Sequence, residues 1–303
     1  MLNKQIHDCS LISRLRNEPM MGSVKPVKNW LLLEYQAAMG AQALAESDIP
    51  TEVQKHLNEV IASGPKARLL LIKSQQDIPE KTIKLIAVNS READPFYIQH
   101  ELESYERLLD IPLDVPISDS YGGDLVIQRS PFFLVCTNGR RDPCCARNGL
   151  PVFNTLNELA PAKVWQSSHM GGHRFAANVL QFPQGICYGR MTPNDAENLL
   201  RAGGEGELLL DHYRGRACYE KYVQAAEAHL RLKTGKMGFE DFRLETGEEL
   251  GEDHWRVKFI ADNDTKHILD LELVKSDTLD YVSCRDDKQS PIVSYRLLDY
   301  SVG

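Results

Sequence analysis

Five side chains between positions 136 and 173 offer soft or borderline metal donors: Cys136, Cys144 and Cys145, then His169 and His173. Thiolate sulfur and neutral imidazole nitrogen are the donors that hold zinc, copper and iron–sulfur clusters. Spacing begins to sort these. Eight residues separate Cys136 from Cys145, and seven separate it from Cys144. A structural zinc site usually joins its thiols through a knuckle of about two to four residues, so a zinc knuckle is disfavoured, while zinc held by separate loops stays open. His169 and His173 have three residues between them, a spacing that shares one face of a helix. Two of the three are Gly171 and Gly172, which together cost a helix roughly 2 kcal/mol relative to alanine. No Glu follows His169, so the zinc-protease pattern also fails. A glycine loop lets the backbone approach a ligand closely. The arrangement suits a cluster clasped by two loops, one carrying Cys and one carrying His.

The elements that must position these loops can be read from hydrophobic periodicity. Residues 1–28 read as irregular. Trp30 to Tyr35, Arg68 to Ile72 and Ile83 to Val88 read as strands. Ala41 to Glu46, Glu52 to Ala62 and Glu101 to Leu109 read as helices. After a Pro-, Asp- and Gly-rich stretch at 112–124, strands are expected at Leu125 to Arg129 and Phe132 to Cys136. A helix follows over Ala146 to Leu159, and a short strand over Lys163 to Gln166 leads into the His pair. Val179 to Phe182 and Ile186 to Tyr188 form an expected hairpin. Thr192 and Pro193 then start a helix as cap and first residue, with Gly203 and Gly204 ending it. A last helix is expected over 217–233. Trp255 to Phe259 and Leu269 to Leu273 alternate as half-buried strands, and Tyr281 to Cys284 and Ile292 to Leu297 complete an antiparallel set. No internal repeat is visible in the sequence.

The chain is therefore expected to be α/β, with an N-terminal α/β portion over 1–123, a second portion over 124–235 and a small antiparallel β appendage over 236–303. The strand and helix order of the second portion is that of a thioredoxin-like domain. The whole chain's apolar fraction of 42% and charged fraction of 26% are ordinary for a soluble globular protein. No stretch approaches the roughly 18–20 apolar residues of a membrane span, and the N-terminus lacks an apolar signal core, so a cytoplasmic location is expected, with no membrane partner. Seven cysteines, an odd number, argue against a disulfide framework. The net charge of −8 sits in the tail, where 16 acidic residues face 8 basic ones from Glu240 onward. No cluster of Lys and Arg marks a nucleic-acid footprint.

The segments CTNGRRDPCCARNGLPV, VWQSSHMGGHRFAANVL and FPQGICYGRM, with the earlier runs at Trp30 and Arg68, resemble the signature blocks of the sucrase/ferredoxin-like family. The resemblance covers most of residues 9–235. It implies a thioredoxin-like ferredoxin domain at 124–235 with a 2Fe–2S cluster held by two Cys and the two His of an H-x-G-G-H motif. Cys136 matches the first thiolate, and His169 and His173 match the imidazoles. Cys145 matches the second thiolate, with Cys144 as the alternative ligand. Asn138 stands where the family motif often has His. Nothing in the sequence supplies a glycosidase carboxylate pair.

What the resemblance implies is an electron carrier rather than a catalyst. Replacing two thiolates by neutral imidazoles brings the oxidised cluster from two negative charges to neutrality. The expected potential lies well above the roughly −400 mV of all-Cys plant-type ferredoxins. The free imidazole N–H groups would couple electron to proton transfer, so the potential is expected to fall as pH rises. No dinucleotide fingerprint is present, so a separate reductase and an acceptor protein are the expected partners. Arg140, Arg141, Asp142, Arg174 and Arg190 are candidates for hydrogen bonds around the cluster. Two other readings compete. One is a thiol redox enzyme using Cys144 or Cys145, weakened by the lack of a C-x-x-C motif. The other is a zinc-binding structural module. Cys187 reads as a core residue, and Cys9, Cys218 and Cys284 have no partners by spacing.

Overall fold

A computed structural model describes residues 8–64, 66–75, 82–113, 117, 126–285 and 287–303. In chain order the helices are α1 (Cys9–Leu15), α2 (Thr51–Ser63), α3 (Pro143–Leu159), α4 (Ala196–Glu205) and α5 (Lys221–Thr234). The strands are β1 (Asn29–Glu34), β2 (Ala67–Lys73), β3 (Ile83–Asn89), β4 (Phe96–Leu102), β5 (Phe132–Cys136), β6 (Val164–Ser167), β7 (Val179–Phe182), β8 (Ile186–Tyr188), β9 (Tyr213–Arg216), β10 (Phe242–Gly251), β11 (His254–Ala261), β12 (Lys266–Tyr281) and β13 (Gln289–Val302).

Nine strands form one sheet in the order β4-β3-β1-β2-β6-β5-β7-β8-β9. The order contains the same motif twice. β1 and β2 are parallel and joined by α2, with β3 antiparallel to β1 and β4 antiparallel to β3. β5 and β6 are parallel and joined by α3, with β7 antiparallel to β5 and β8 antiparallel to β7. Each is a thioredoxin-like arrangement, and the two meet where β2 pairs antiparallel with β6 through Ile72 with Ser167 and Lys73 with Gln166. The repeat is one of topology, which a comparison of residue types along the chain does not reveal.

Because side chains alternate across a strand, β1 and β5 each feed two cores. Trp30, Leu32, Leu134 and Cys136 enter a core that spans both halves of the sheet. Leu31 and Leu33 enter a second with α2, and Phe133 and Val135 a third with α3 and α4. Strands buried on both faces read as unbroken apolar runs, which is why these were legible.

β10 to β13 form a separate antiparallel meander. It packs on α5 through Val223, Ala226 and Leu230 against Phe242, Val257, Phe259 and Leu269. On the buried face of α5, the Glu227 carboxylate meets Arg231 of the next turn at 2.9 Å and Arg216 of β9 at 3.3 Å and accepts from the Tyr213 hydroxyl. Among the described residues no helix is long and apolar enough to cross a membrane.

Several local expectations are corrected. Residues 9–15 are helical, capped by the Asp8 carboxylate on Leu11 N at 3.0 Å; residues 1–7 lie outside the described residues. Ala41 to Glu46 is a turn, because the Glu46 carboxylate takes the amides of Ala41 and Gln42 at 3.0 and 2.9 Å. Glu101 and Leu102 end β4, and the helical part is a 3-10 turn over Tyr105–Asp110. Of the strand expected at Leu125 to Arg129, Leu125 lies outside the described residues, and Gln128 makes an isolated bridge to Tyr97. α4 runs through Gly203 and Gly204 and stops at Gly206, whose φ is +74°. β12 ends at Tyr281, so Cys284 sits in a loop, and Phe242–Gly251 supplies the fourth strand of the meander.

Candidate metal centre

Cys136 closes β5, and Cys144 and Cys145 lie in the first turn of α3. Asp142 caps that helix, its Oδ1 accepting from Cys144 N at 3.0 Å, and Pro143 occupies the first helical position. The helix lies close against the end of β5 because Gly149 has no side chain: a Cβ there would fall 2.2 Å from the Cys136 carbonyl oxygen. Successive helical residues point about 100° apart, so the two vicinal thiols face different neighbours.

Cys145 faces Cys136 and the His loop. Its Sγ lies 3.5 Å from His169 Nδ1, and Cys136 Sγ lies 4.0 Å from the same nitrogen. These three donor atoms all fall within 4.8 Å of one another. A hydrogen bond from Cys145, with His169 beside it, holds the Cys136 thiol well below its ordinary range despite burial. The same bond, together with burial, pushes Cys145 up.

The His loop is shaped by glycine and held by arginine. Gly171 and Gly172 have φ of +102° and +69°, and a Cβ on Gly172 would meet Arg214 Nη2 at 2.2 Å. Arg68 on β2 donates to the carbonyls of His169 and Met170 at 2.7 Å each. Arg214 on β9 donates to the Gly171 carbonyl at 3.3 Å and Asn178 Oδ1 at 2.8 Å, and Asn178 Nδ2 donates to the Gly172 carbonyl at 2.9 Å. Beyond the loop lies a 710 Å³ cleft lined by Lys25, Arg68, Arg214 and Lys221.

His173 stands beside His169, with ring centroids 5.4 Å apart. Its Nδ1 lies 3.2 Å from Asp142 Oδ2 and 3.3 Å from Cys9 Sγ, which leaves Nε2 as the nitrogen for a metal. Burial lowers the His173 pKa, with Asp142 opposing. Burial works to raise Asp142, but His173 and the amides of Cys284 and Cys144 outweigh it and hold the carboxyl below its usual range.

Cys144 turns to residues that spacing did not connect with it. Its Sγ lies 3.0 Å from Cys284 Sγ and 3.5 Å from Cys9 Sγ. Hydrogen bonding to Cys9, and then Cys284, brings the Cys144 thiol down to about 7 against burial. Burial, aided by Cys144, pushes Cys284 up to about 12. The one sequence signal of this second group was the vicinal Cys pair, since two adjacent helical thiols serve two directions.

The arginines divide. Arg190 donates to the carbonyls of Ser13 and Glu18 at 3.0 and 2.8 Å, and Arg174 pairs with Glu18 at 2.7 Å, so both fasten the N-terminal segment. Arg141 lines a small cavity with His169, and Arg140 lines another beside Asn138. Asn138 braces its loop, donating to the Gly40 carbonyl at 2.9 Å and accepting from Arg141 N at 3.1 Å. Cys187 is buried beside Arg214, and Cys218 belongs to the core under the meander.

Comparison with known proteins adds the following. Proteins named altered inheritance of mitochondria protein 32 are 32% identical over 93 residues in Meyerozyma guilliermondii and 32% identical over 92 residues in Clavispora lusitaniae. These matches take in 27% of this chain and 33% and 34% of those relatives, so the chain spans about a third of the length of each. A solved thioredoxin-like [2Fe-2S] ferredoxin from Aquifex aeolicus is similar at 18% identity with a TM-score of 0.28, over 31% of this chain and 97% of that one. The sucrase/ferredoxin-like pattern matches residues 20–215, most of the nine-stranded sheet and all of the Cys and His loops, and the chain belongs to the sucrase/ferredoxin-like family.

Proposed function

We propose that this chain is an electron-transfer protein whose Cys136, Cys145, His169 and His173 hold a 2Fe–2S cluster. The observation that carries the reading is the convergence of Cys136 Sγ, Cys145 Sγ and His169 Nδ1 within 4.8 Å. Two thiols and two adjacent imidazoles on rigid supports match the donor chemistry of such a cluster. When bound, the cluster supplies a one-electron redox centre.

The chain's own residues prepare that place. The N-terminus of α3 presents its positive dipole end to the first-turn thiols and favours their thiolate forms. Asp142 takes the Nδ1 side of His173, which sets the tautomer that exposes Nε2. Arg68 and Arg214 fix the loop backbone and place two cations beside it. Cations near a redox centre favour the reduced state.

A reductase and an acceptor are separate proteins in this reading, and the cleft with Lys25, Arg68, Arg214 and Lys221 favours an acidic partner surface. A cytoplasmic setting belongs to the same proposal, which rests on an odd count of seven cysteines in place of a secreted disulfide framework. The name of the relatives refers to mitochondria, and cell fractionation decides between the two compartments.

The test is the EPR spectrum of anaerobically purified, reduced protein, with iron analysis. The expected result is a red-brown protein with about two irons per chain, whose spectrum changes in His169→Cys and in His173→Cys. Spectra identical to wild type in both variants would remove the histidines from the ligand set. A colourless, iron-free protein would end the reading altogether.

A further inference from the structure

Cys9, Cys144 and Cys284 come from the N-terminal helix, the start of α3 and the loop after β12, with Cys9 and Cys144 135 positions apart and Cys144 and Cys284 140 positions apart. Their sulfurs form a triangle with edges of 3.0, 3.5 and 3.5 Å. All three are buried free thiols. Asp142, 1% exposed, places a carboxylate oxygen in the same group, with all four donor atoms within 4.8 Å. We propose that this group is a second metal site, a structural zinc site formed by three thiolates and the Asp142 carboxylate.

Four lines of chemistry support zinc. A tetrahedral zinc with bonds of about 2.3 Å holds its sulfurs roughly 3.8 Å apart. A triangle slightly smaller than that accepts an ion just off its plane, and an Asp142 carboxylate oxygen within 4.8 Å of every sulfur is the fourth donor. A disulfide would consume two thiols and leave the third buried without a function. Three thiolates and one carboxylate around Zn²⁺ carry the same net charge as a four-thiolate structural site. Finally, the sulfur of Cys284 already accepts from the Cys9 amide at 3.4 Å, and the Cys284 amide donates to Asp142 at 3.0 Å. Amides that turn toward sulfur and carboxylate stabilise ligands once they have lost their protons.

The location suggests what zinc would do. α1 has seven residues, too few to persist without tertiary anchors. The loop carrying Cys284 reaches back from the meander to the start of α3. Zinc at this point would join both ends of the chain to the central domain, and its binding energy would become folding energy for those segments. Each thiol releases its proton to solvent on binding. Asp142 also touches His173, so one carboxylate would serve both metal sites.

The site shares no thiol with the cluster at Cys136 and Cys145, although Asp142 and Cys9 both touch His173, and the test separates the two. Zinc and iron are measured in the full chain purified anaerobically, in wild type, Cys9→Ser, Cys284→Ser and Cys136→Ser. About one zinc per chain is expected in wild type, falling below about a tenth in Cys9→Ser and Cys284→Ser, while iron stays at its wild-type level in Cys284→Ser, whose thiol does not touch His173. Cys136→Ser should keep its zinc. Circular dichroism confirms that each variant is folded. As a second measurement, zinc-stripped wild type is titrated with Co²⁺, and one equivalent should produce the absorption of tetrahedral thiolate-bound cobalt. Zinc that persists in both Cys9→Ser and Cys284→Ser, or zinc lost from Cys136→Ser, would overturn the proposal. So would wild type without zinc that takes up no cobalt, or a Cys144–Cys284 disulfide found by peptide mapping. A colourless protein that still holds one zinc would support this site and refute the cluster.

Discussion

Arg68 Nη2 donates to the carbonyl oxygen of His169 at 2.7 Å, so a strand of the N-terminal half grips the loop that carries the imidazoles. This bond ties the two thioredoxin-like halves together at the candidate site. It also places a half-buried guanidinium within reach of any charge developed there.

Arg68→Gln keeps a donor but removes the cation. Its reduction potential is expected to fall by about 60 mV, the equivalent of about 1.4 kcal/mol for one electron. Protein-film voltammetry of wild type and variant measures it. A potential unchanged or raised would show that Arg68 only positions the backbone.

Gly172→Ala should damage the His loop more than Gly171→Ala. Both residues have positive φ, but only at Gly172 would a Cβ meet another group within 4 Å, the Arg214 guanidinium. The added strain should cost about 1–3 kcal/mol, read as a shift in the urea midpoint with the slope unchanged. Iron content should drop in the same variant. Equal losses at the two glycines would refute the role of the Arg214 contact.

Glu227→Gln should unbalance the buried pair of arginines, Arg231 on α5 and Arg216 on β9. Breaking such a group by removing one partner costs about 3–5 kcal/mol. Arg216, Arg231 and the Tyr213 hydroxyl outweigh burial and hold the Glu227 pKa below its ordinary value. Its contribution is therefore fully present above the unfolded carboxylate pKa of about 4.3. It is lost as pH falls from there through the lower folded value. Urea unfolding between pH 3 and 6 should show wild type losing stability more steeply on acidification than Glu227→Gln. Parallel curves would contradict the assignment.

Arg190→Ala should loosen the N-terminal segment, since the guanidinium anchors the backbone of Ser13 and Glu18. Amide exchange over residues 9–18 is expected to speed up at least tenfold, an opening made easier by about 1.4 kcal/mol. Exchange in β5 and β7 should hold steady. Uniform acceleration through the whole sheet would instead point to global destabilisation.

The order of legibility follows the range of the forces involved. β1, β2, β3, β5, β7 and β8 are runs of apolar residues buried on both faces, and such runs announce themselves locally. α1 did not, because seven residues beside Pro19, Gly22 and Pro26 have no helical period of their own, and packing on the His173 turn makes the helix. The segment 41–46 reads as a helix because Ala and Leu favour one, whereas one carboxylate, Glu46, recruits the amides that a helix would use and makes a turn. The topological repeat was invisible, since two segments can share a strand order without sharing residues.

By itself the sequence determined the donor types, the two loops that carry them, and the glycines that keep the His pair out of a helix. Tertiary structure decided which thiol faces which neighbour. It turned Cys145 toward Cys136 and His169, and Cys144 toward Cys9 and Cys284. The reason is physical. Spacing rules reach as far as a helical turn or a hairpin, whereas Cys9 and Cys284 meet across 275 positions of chain. Only the packing of α1 and the β12–β13 loop against the start of α3 brings them together.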